Sequence, residues 1–208
     1  MVKCFIFDQD GTLYPRNHLL MLTLRKKTKS WLMSGLHKSK KEVSLLYKWL
    51  MQNYPNPFDG FTSLGCSIED YHNSVFNSVD PKKYLTKDGK LIKLFKKISF
   101  NFSVYIVTFA SPLYSKRVQR ALGIYPFIKE TYYVKDNPVD HSKEFFYRLI
   151  AKNEKLKFNE ICVVGDEYYI DILPAKKLGC ISVYVSSKKI KGPNFTIKSI
   201  YNLPNIFK

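Results

Sequence analysis

Acidic side chains are scarce in this chain. Seventeen Asp and Glu stand against 34 Lys and Arg, a formal net charge of +17 over 208 residues. That balance argues against cationic partners and for anionic ones: phosphorylated small molecules, nucleic acid or a membrane surface. Cysteine is equally sparse. Cys4, Cys66, Cys162 and Cys180 form no C-x-x-C pair. Three of them sit in or beside apolar runs, which speaks against zinc or disulfides and for buried thiols in a reducing cytoplasm. No apolar stretch approaches the length needed to cross a bilayer, so no membrane partner is expected. The first strand begins so close to residue 1 that no signal peptide is expected either. His18, His37, His72 and His141 lack metal-ligand spacing, and neither repeats nor low-complexity tracts occur. What remains is 45% hydrophobic and 15% aromatic, enough for one good core and a small second module.

Four short apolar runs read as parallel strands: Cys4–Phe7, Val104–Val107, Ile161–Val164 and Ile181–Val185, with a weaker fifth at Thr131–Val134. Helical patterns lie between them. Pro112–Leu122 closes on Gly123, Lys143–Lys155 follows Ser142, and Tyr168–Leu178 closes on Gly179. Alternating strand and helix predicts an α/β fold: a Rossmann-like parallel sheet with helices on both faces. The stretch from residue 16 to 83 differs, having helical periodicity and no convincing strand. His18–Leu36, Lys40–Asn53 and Ile68–Val79 read as helices, with a firm break at Pro55-Asn56-Pro57 and Asp59-Gly60. Asp88–Ile98 returns the chain to the sheet. The expected organisation is thus a core of residues 1–15 and 84–208, with a small all-helical insert of residues 16–83 after the first strand. The tail from Gly192 to Lys208 carries no clear signal.

The chemistry is concentrated at strand ends. Cys4–Phe7 stops at Asp8-Gln9-Asp10-Gly11-Thr12-Leu13-Tyr14. In extended backbone the i, i+2 spacing puts both carboxylates on one side, and Gly11 lets the chain turn away. In a parallel sheet the carboxyl ends of the strands open onto the ligand crevice. Two acids held there repel, so the pair asks for a cation or a division of labour. Val104–Val107 ends in Thr108. Ile161–Val164 ends in Gly165-Asp166-Glu167, with Asp171 one helical turn further on, and Lys143 opens the helix that precedes this strand.

In this order and context the motifs resemble those of the haloacid dehalogenase-like (HAD) hydrolase superfamily, over nearly the whole chain, with the helical insert where family members carry a cap. The resemblance implies a Mg²⁺-dependent phosphomonoesterase acting on a small phosphorylated metabolite, of nucleotide or sugar phosphate type. It implies that Asp8 is the nucleophile forming an aspartyl-phosphate, and that Asp10 is the general acid and base. Asp8, Asp166 and the backbone carbonyl of Asp10 hold Mg²⁺ in that scheme. Thr108, the backbone of Phe109, and Lys143 bind the phosphoryl oxygens, with Lys135 as the alternative lysine. Asp171 and Glu167 then orient Lys143 and metal-bound water. Family members that cleave carbon–halogen bonds lack an acid at the position of Asp10, so its presence favours phosphate esters. Two positions depart from the family pattern: Phe109 stands where a small or amide residue is common, and Glu167 where serine is commoner.

The insert carries a basic cluster, Arg25, Lys26, Lys27, Lys29, Lys38, Lys40, Lys41 and Lys48, interleaved with Trp31, Tyr47, Trp49 and Tyr54. A solvated helix face is the plainer account, with Trp31 and Trp49 in the insert's own core; a lid gripping an anionic substrate is the sharper one. Tyr14 and Arg16, at the passage from core to insert, are further candidates to touch substrate. Nucleic-acid phosphate ends rank second as substrate. A phosphosugar mutase and a non-catalytic anion-binding module on the same scaffold complete the alternatives. A cytoplasmic location is expected; no oligomeric state is legible.

Overall fold

A computed structural model describes residues 1–206. The expected core segment runs to residue 208, and its last two residues, Phe207 and Lys208, lie outside the described residues. Strand β1 (Cys4–Phe7) is buried along its whole length. It leads through two-residue strands β2 (Asp10–Gly11) and β3 (Tyr14–Pro15), paired with each other. Next come helices α1 (Leu19–Leu36), α2 (Lys40–Asn53), α3 (Pro57–Ser63) and α4 (Ile68–Tyr71), the last widening into a π-helical turn at His72–Phe76. Helix α5 (Gly89–Asn101) then enters strand β4 (Ser103–Thr108). Helix α6 (Pro112–Leu122), strand β5 (Glu130–Tyr133), helix α7 (Glu144–Glu154) and strand β6 (Ile161–Gly165) follow. Helix α8 (Leu173–Leu178) and strands β7 (Ile181–Val185) and β8 (Phe195–Ile197) complete the order.

Six strands form one parallel sheet in the order β5-β4-β1-β6-β7-β8. Strand β1 is central and pairs with β4 and β6, Phe7 facing Ile106 and Val164. A central parallel strand is covered on both faces, which is why Cys4–Phe7 contains no polar residue. The chain runs outward from β1 to β5, then returns and runs outward from β6 to β8. Right-handed crossovers in opposite directions place helices on both faces and leave the crevice at the reversal, beside the carboxyl end of β1. No helix among the described residues is long and apolar enough to cross a membrane.

Several expectations are adjusted. The break at residues 55–57 is also a start. Asn56 accepts from the Asp59 N–H and Pro57 occupies the first helical position, so α3 begins there. Strand β5 starts one residue earlier than Thr131. Strand β8, in the tail, joins the sheet edge beside β7. Trp31 does pack in the insert, against Phe61 and Tyr71 at 5.3 and 5.0 Å between ring centroids. Trp49 does not: it is 48% exposed and touches Tyr54 at the surface. Most of the basic cluster is solvated, Lys26, Lys38, Lys40, Lys41 and Lys48 being exposed.

The insert meets the core through an aromatic hub. Phe58 is fully buried and packs on Tyr71 and His72 of the insert and on Phe109 and His141 of the core, at centroid distances of 6.3, 5.4, 4.8 and 5.4 Å. Polar contacts flank it. His72 Nε2 lies 3.0 Å from the Phe109 carbonyl, and His141 Nδ1 lies 2.8 Å from Asp59 Oδ1. Truncating a buried ring of this kind removes its transfer energy and leaves a cavity. Phe58→Ala is expected to lower the unfolding free energy by about 3–5 kcal/mol, measured by urea denaturation with tryptophan fluorescence. A loss below about 1 kcal/mol would show that the hub does not join the two parts.

Candidate active site

The site is built on the tips of β1, β4 and β6. The Asp8 N–H continues the ladder to the Val164 carbonyl at 2.9 Å, and the chain then turns on the Gln9 carbonyl, which accepts from Thr12 and Leu13. Gly11 in that turn has φ +104°, and a Cβ there would lie 2.4 Å from Asp166 Oδ2. Only glycine both adopts this backbone and lets the β6 acid approach. The Thr12 hydroxyl lies 2.9 Å from both Asp8 Oδ2 and Asp166 Oδ1. Having one proton, it donates to one of them at a time.

At the end of β6 the chain folds back in a π-helical turn, Tyr168–Ile172, which returns Asp171 to the strand tip. The Glu167 N–H donates to Asp171 Oδ2 at 2.9 Å. Gly165 is needed for this close return, since a Cβ there would meet the Asp171 side chain at 2.3–2.4 Å. Carboxylate oxygens of Asp8, Asp166 and Asp171 all lie within 4.8 Å of one another. Three acids this close share a cation readily.

Two cations already engage them. Lys143, at the N-terminal end of α7 and 1% exposed, donates to Asp8 Oδ1 at 2.6 Å and to Asp171 Oδ1 at 2.7 Å. Burial opposes its charge, but Asp171 and Asp8 outweigh that and raise its pKa. Arg16 pairs with Asp166 and Glu167. Asp166 nevertheless titrates well above the usual carboxylate range, from burial first and then the neighbouring Asp8. Asp171 is pushed up to about 6, chiefly by burial, with Lys143 opposing.

Asp10 has different company. Its Oδ1 accepts from the Tyr14 hydroxyl and, at 3.2 Å, from the Tyr114 hydroxyl; its Oδ2 accepts from Gln9 Nε2 at 3.1 Å. Its pKa is pushed up to about 6. Burial is the largest cause and Asp8 adds to it, while the bonds from Tyr14, Gln9 and Tyr114 pull the other way. Thr108 is buried at the end of β4, its Oγ1 accepting from the Ala110 N–H at 3.1 Å.

A cleft of about 650 Å³ joins these groups. Asp8, Asp10, Thr108, Phe109, Lys143, Asp166, Glu167 and Asp171 all line it, together with Arg16, Arg25, Tyr47 and Phe61 from the passage and the insert. Lys135 does not: it is exposed and paired with Asp136 at 2.7 Å. Gln9 and Tyr114 were not legible as site residues. The residue between two paired acids carries no signal of its own, and Tyr114 reads in sequence as an ordinary helical aromatic.

Comparison with known proteins agrees with this architecture. The family model for haloacid dehalogenase-like hydrolases matches residues 2–179, and the chain belongs to that family. Among curated relatives, a glyceraldehyde 3-phosphate phosphatase of Methanocaldococcus jannaschii is 27% identical, over 100% of this chain and 98% of the relative. One from Methanopyrus kandleri is 24% identical, over 91% and 86%. An HAD phosphatase structure from Thermococcus onnurineus superposes with a TM-score of 0.66 at 20% identity, covering 99% and 97%.

Gly165→Ala tests the packing of the site. The added methyl must displace Asp171 from Lys143. We expect a stability loss of about 1–3 kcal/mol and a fall in turnover of about a hundredfold, measured by thermal denaturation and by phosphate release. Unchanged values for both would mean that the close return of Asp171 has no role.

Proposed function

We propose that this protein is a Mg²⁺-dependent phosphomonoesterase that works through an aspartyl-phosphate on Asp8, with a small phosphorylated sugar as substrate. The observation that carries the reading is the division between two adjacent carboxyls. Asp8 is tied to a buried ammonium, while Asp10 is half-buried among neutral donors with its pKa pushed up to about 6. Neighbouring acids in such unlike surroundings suit a nucleophile and a proton carrier.

An Asp8 oxygen would attack phosphorus as the bond to the leaving oxygen breaks, and that oxygen would take the proton of Asp10. Asp10, now a carboxylate, would take a proton from water as the water oxygen attacks the aspartyl-phosphate, releasing phosphate and restoring Asp8. Thr108, the Phe109 N–H and Lys143 would hold the phosphoryl oxygens against the charge that develops. Asp171, and Glu167 beside it, would keep Lys143 and Asp166 in place. Asp8, Asp166 and the main-chain carbonyl of Asp10 would hold Mg²⁺. The donors are all oxygen, and five carboxyl groups line the cleft with three cations, Arg16, Arg25 and Lys143, so the acids outnumber them and the set fits a hard divalent ion. When bound, the ion supplies positive charge that relieves the repulsion and lets an anionic nucleophile approach an anionic phosphate.

The helical segment, residues 16–83, would act as the cap over a core of residues 1–15 and 84–208. Its Arg25 and Tyr47 would face the leaving group. The named substrate of both curated relatives, glyceraldehyde 3-phosphate, supports a triose or similar sugar phosphate. Phosphate release from a panel of sugar phosphates, nucleoside monophosphates and phosphoglycolate tests this. Small sugar phosphates should give the highest kcat/KM, EDTA should abolish the activity, and Asp8→Asn should bring it to background. A metal-loaded protein inert on the whole panel would remove the reading, and phosphoryl transfer between sugar hydroxyls without free phosphate would make it a mutase. Asp10→Asn should cut turnover by about 10²–10⁴-fold while Mg²⁺ affinity by calorimetry stays near that of the parent. Near-parental turnover would refute the role given to Asp10.

A further inference from the structure

Asp10 sits in a buried polar network far larger than a single carboxyl needs for packing. Tyr14 and Tyr114 are 5% and 0% exposed, and their hydroxyls lie 3.1 Å apart, both directed at Asp10 Oδ1. On the other side, Gln9 is fully buried. Its Oε1 accepts from Ser115 Oγ at 2.8 Å and from Gln119 Nε2 at 3.3 Å. Those donors fix the orientation of the amide, so its NH₂ is the end that faces Asp10 Oδ2. Gln119 is held in turn by Thr131 of β5 at 3.1 Å. Helix α6 therefore contributes Tyr114, Ser115 and Gln119 to one carboxyl located more than a hundred residues earlier in the chain.

Burying this many polar atoms costs free energy that phenylalanine at positions 14 and 114 would avoid, so the network calls for a reason beyond packing. A carboxyl terminus rotates in a broad, two-fold torsion and presents either oxygen unless its neighbours forbid it. Here they forbid it. Tyr14 donates to Oδ1, and the one proton of Tyr114 serves either Oδ1 or the Tyr14 oxygen, so that Oδ1 faces an O–H donor in both arrangements and a proton placed on it would collide with that donor. Oδ2 receives a single amide N–H and keeps a free site.

We propose that Tyr14 and Tyr114 are positioning residues which saturate Oδ1 of Asp10, so that the proton given to the leaving oxygen and later recovered from water is always carried on Oδ2. The inference rests on the assignment of Asp10 as the proton carrier. The step balances within it: the O–P bond breaks, its electron pair stays on the leaving oxygen, and the Oδ2 proton moves to that oxygen. Both phenols keep their protons throughout. They touch neither the phosphoryl group nor the nucleophile, and act only through the carboxyl.

Leaving groups of different need separate this role from a structural one. A nitrophenolate departs without a proton, whereas an alkoxide requires one. Tyr14→Phe and Tyr114→Phe each remove one oxygen and keep the ring. For an alkyl ester such as glycerol phosphate, we expect kcat in each variant to fall at least about tenfold more than for p-nitrophenyl phosphate, with KM close to parental on both. Asp10→Asn should show the same selectivity, more strongly. Should either phenylalanine variant fail to fold, Gln9→Met, which loosens the opposite side of the carboxyl, should show the same selectivity to a smaller degree. Equal losses on the two esters in folded variants, with Asp10→Asn selective, would overturn the role of the tyrosines alone. Equal losses in Asp10→Asn as well would overturn the assignment of Asp10 and the inference with it.

Discussion

A single buried ammonium, that of Lys143, sits between Asp8 and Asp171 and makes the convergence of this site tolerable. Carboxylates gathered in a partly dry crevice repel strongly, and an unpaired charge there costs several kcal/mol. The lysine answers two of the acids at once, at 2.6 and 2.7 Å, and Arg16 engages Asp166 from the passage to the insert. The glycines belong to the same constraint. Gly11, in the turn after β1, and Gly165, at the end of β6, are the points where the backbone lets the side chains of Asp166 and Asp171 approach closely. The sheet topology supplies the place, the glycines supply the clearance and the lysine supplies the charge. Removing any one leaves the others with unfavourable company.

Around that centre the two neighbouring acids that follow β1 are kept apart in character. Asp8 looks toward the cationic side. Asp10 looks toward a dry wall of phenols and amides rooted in α6, the helix that starts just after Thr108. One strand tip therefore feeds two unlike microenvironments, built by segments from opposite sides of the sheet. Such separation is what phosphoryl transfer by a carboxylate demands, because one group has to stay ionised while its neighbour holds a proton.

Much of this was legible in the sequence, for identifiable reasons. Strands β1 and β6 are continuous apolar runs and β4 is apolar between Ser103 and Thr108, because central parallel strands have no wet face, while β7 is apolar apart from Ser182. The acids and Thr108 could be placed because each ends such a run. Lys143 could be placed because it opens a helix with ordinary boundary signals. What escaped depended on distance or on competing signals. The bond from Tyr114 to Asp10 spans 104 residues and that from Ser115 to Gln9 spans 106, and no local pattern reports such pairings. Pro55-Asn56-Pro57 reads as a breaker although Asn56 and Pro57 also begin α3. Strand β8 is three residues long with one buried side chain, Ile197, too short to show a period. Trp49 has the spacing of a core residue, yet it lies half-exposed at the surface against Tyr54.

Phe109, the bulky departure from the family pattern, immediately follows Thr108. Its ring rests on Phe58 and its carbonyl is held by His72, both from the helical insert. The backbone that follows the tip of β4 therefore takes its support from a segment some forty residues earlier in the chain, and a substitution at Phe58 or His72 would be felt at the rim of the cleft.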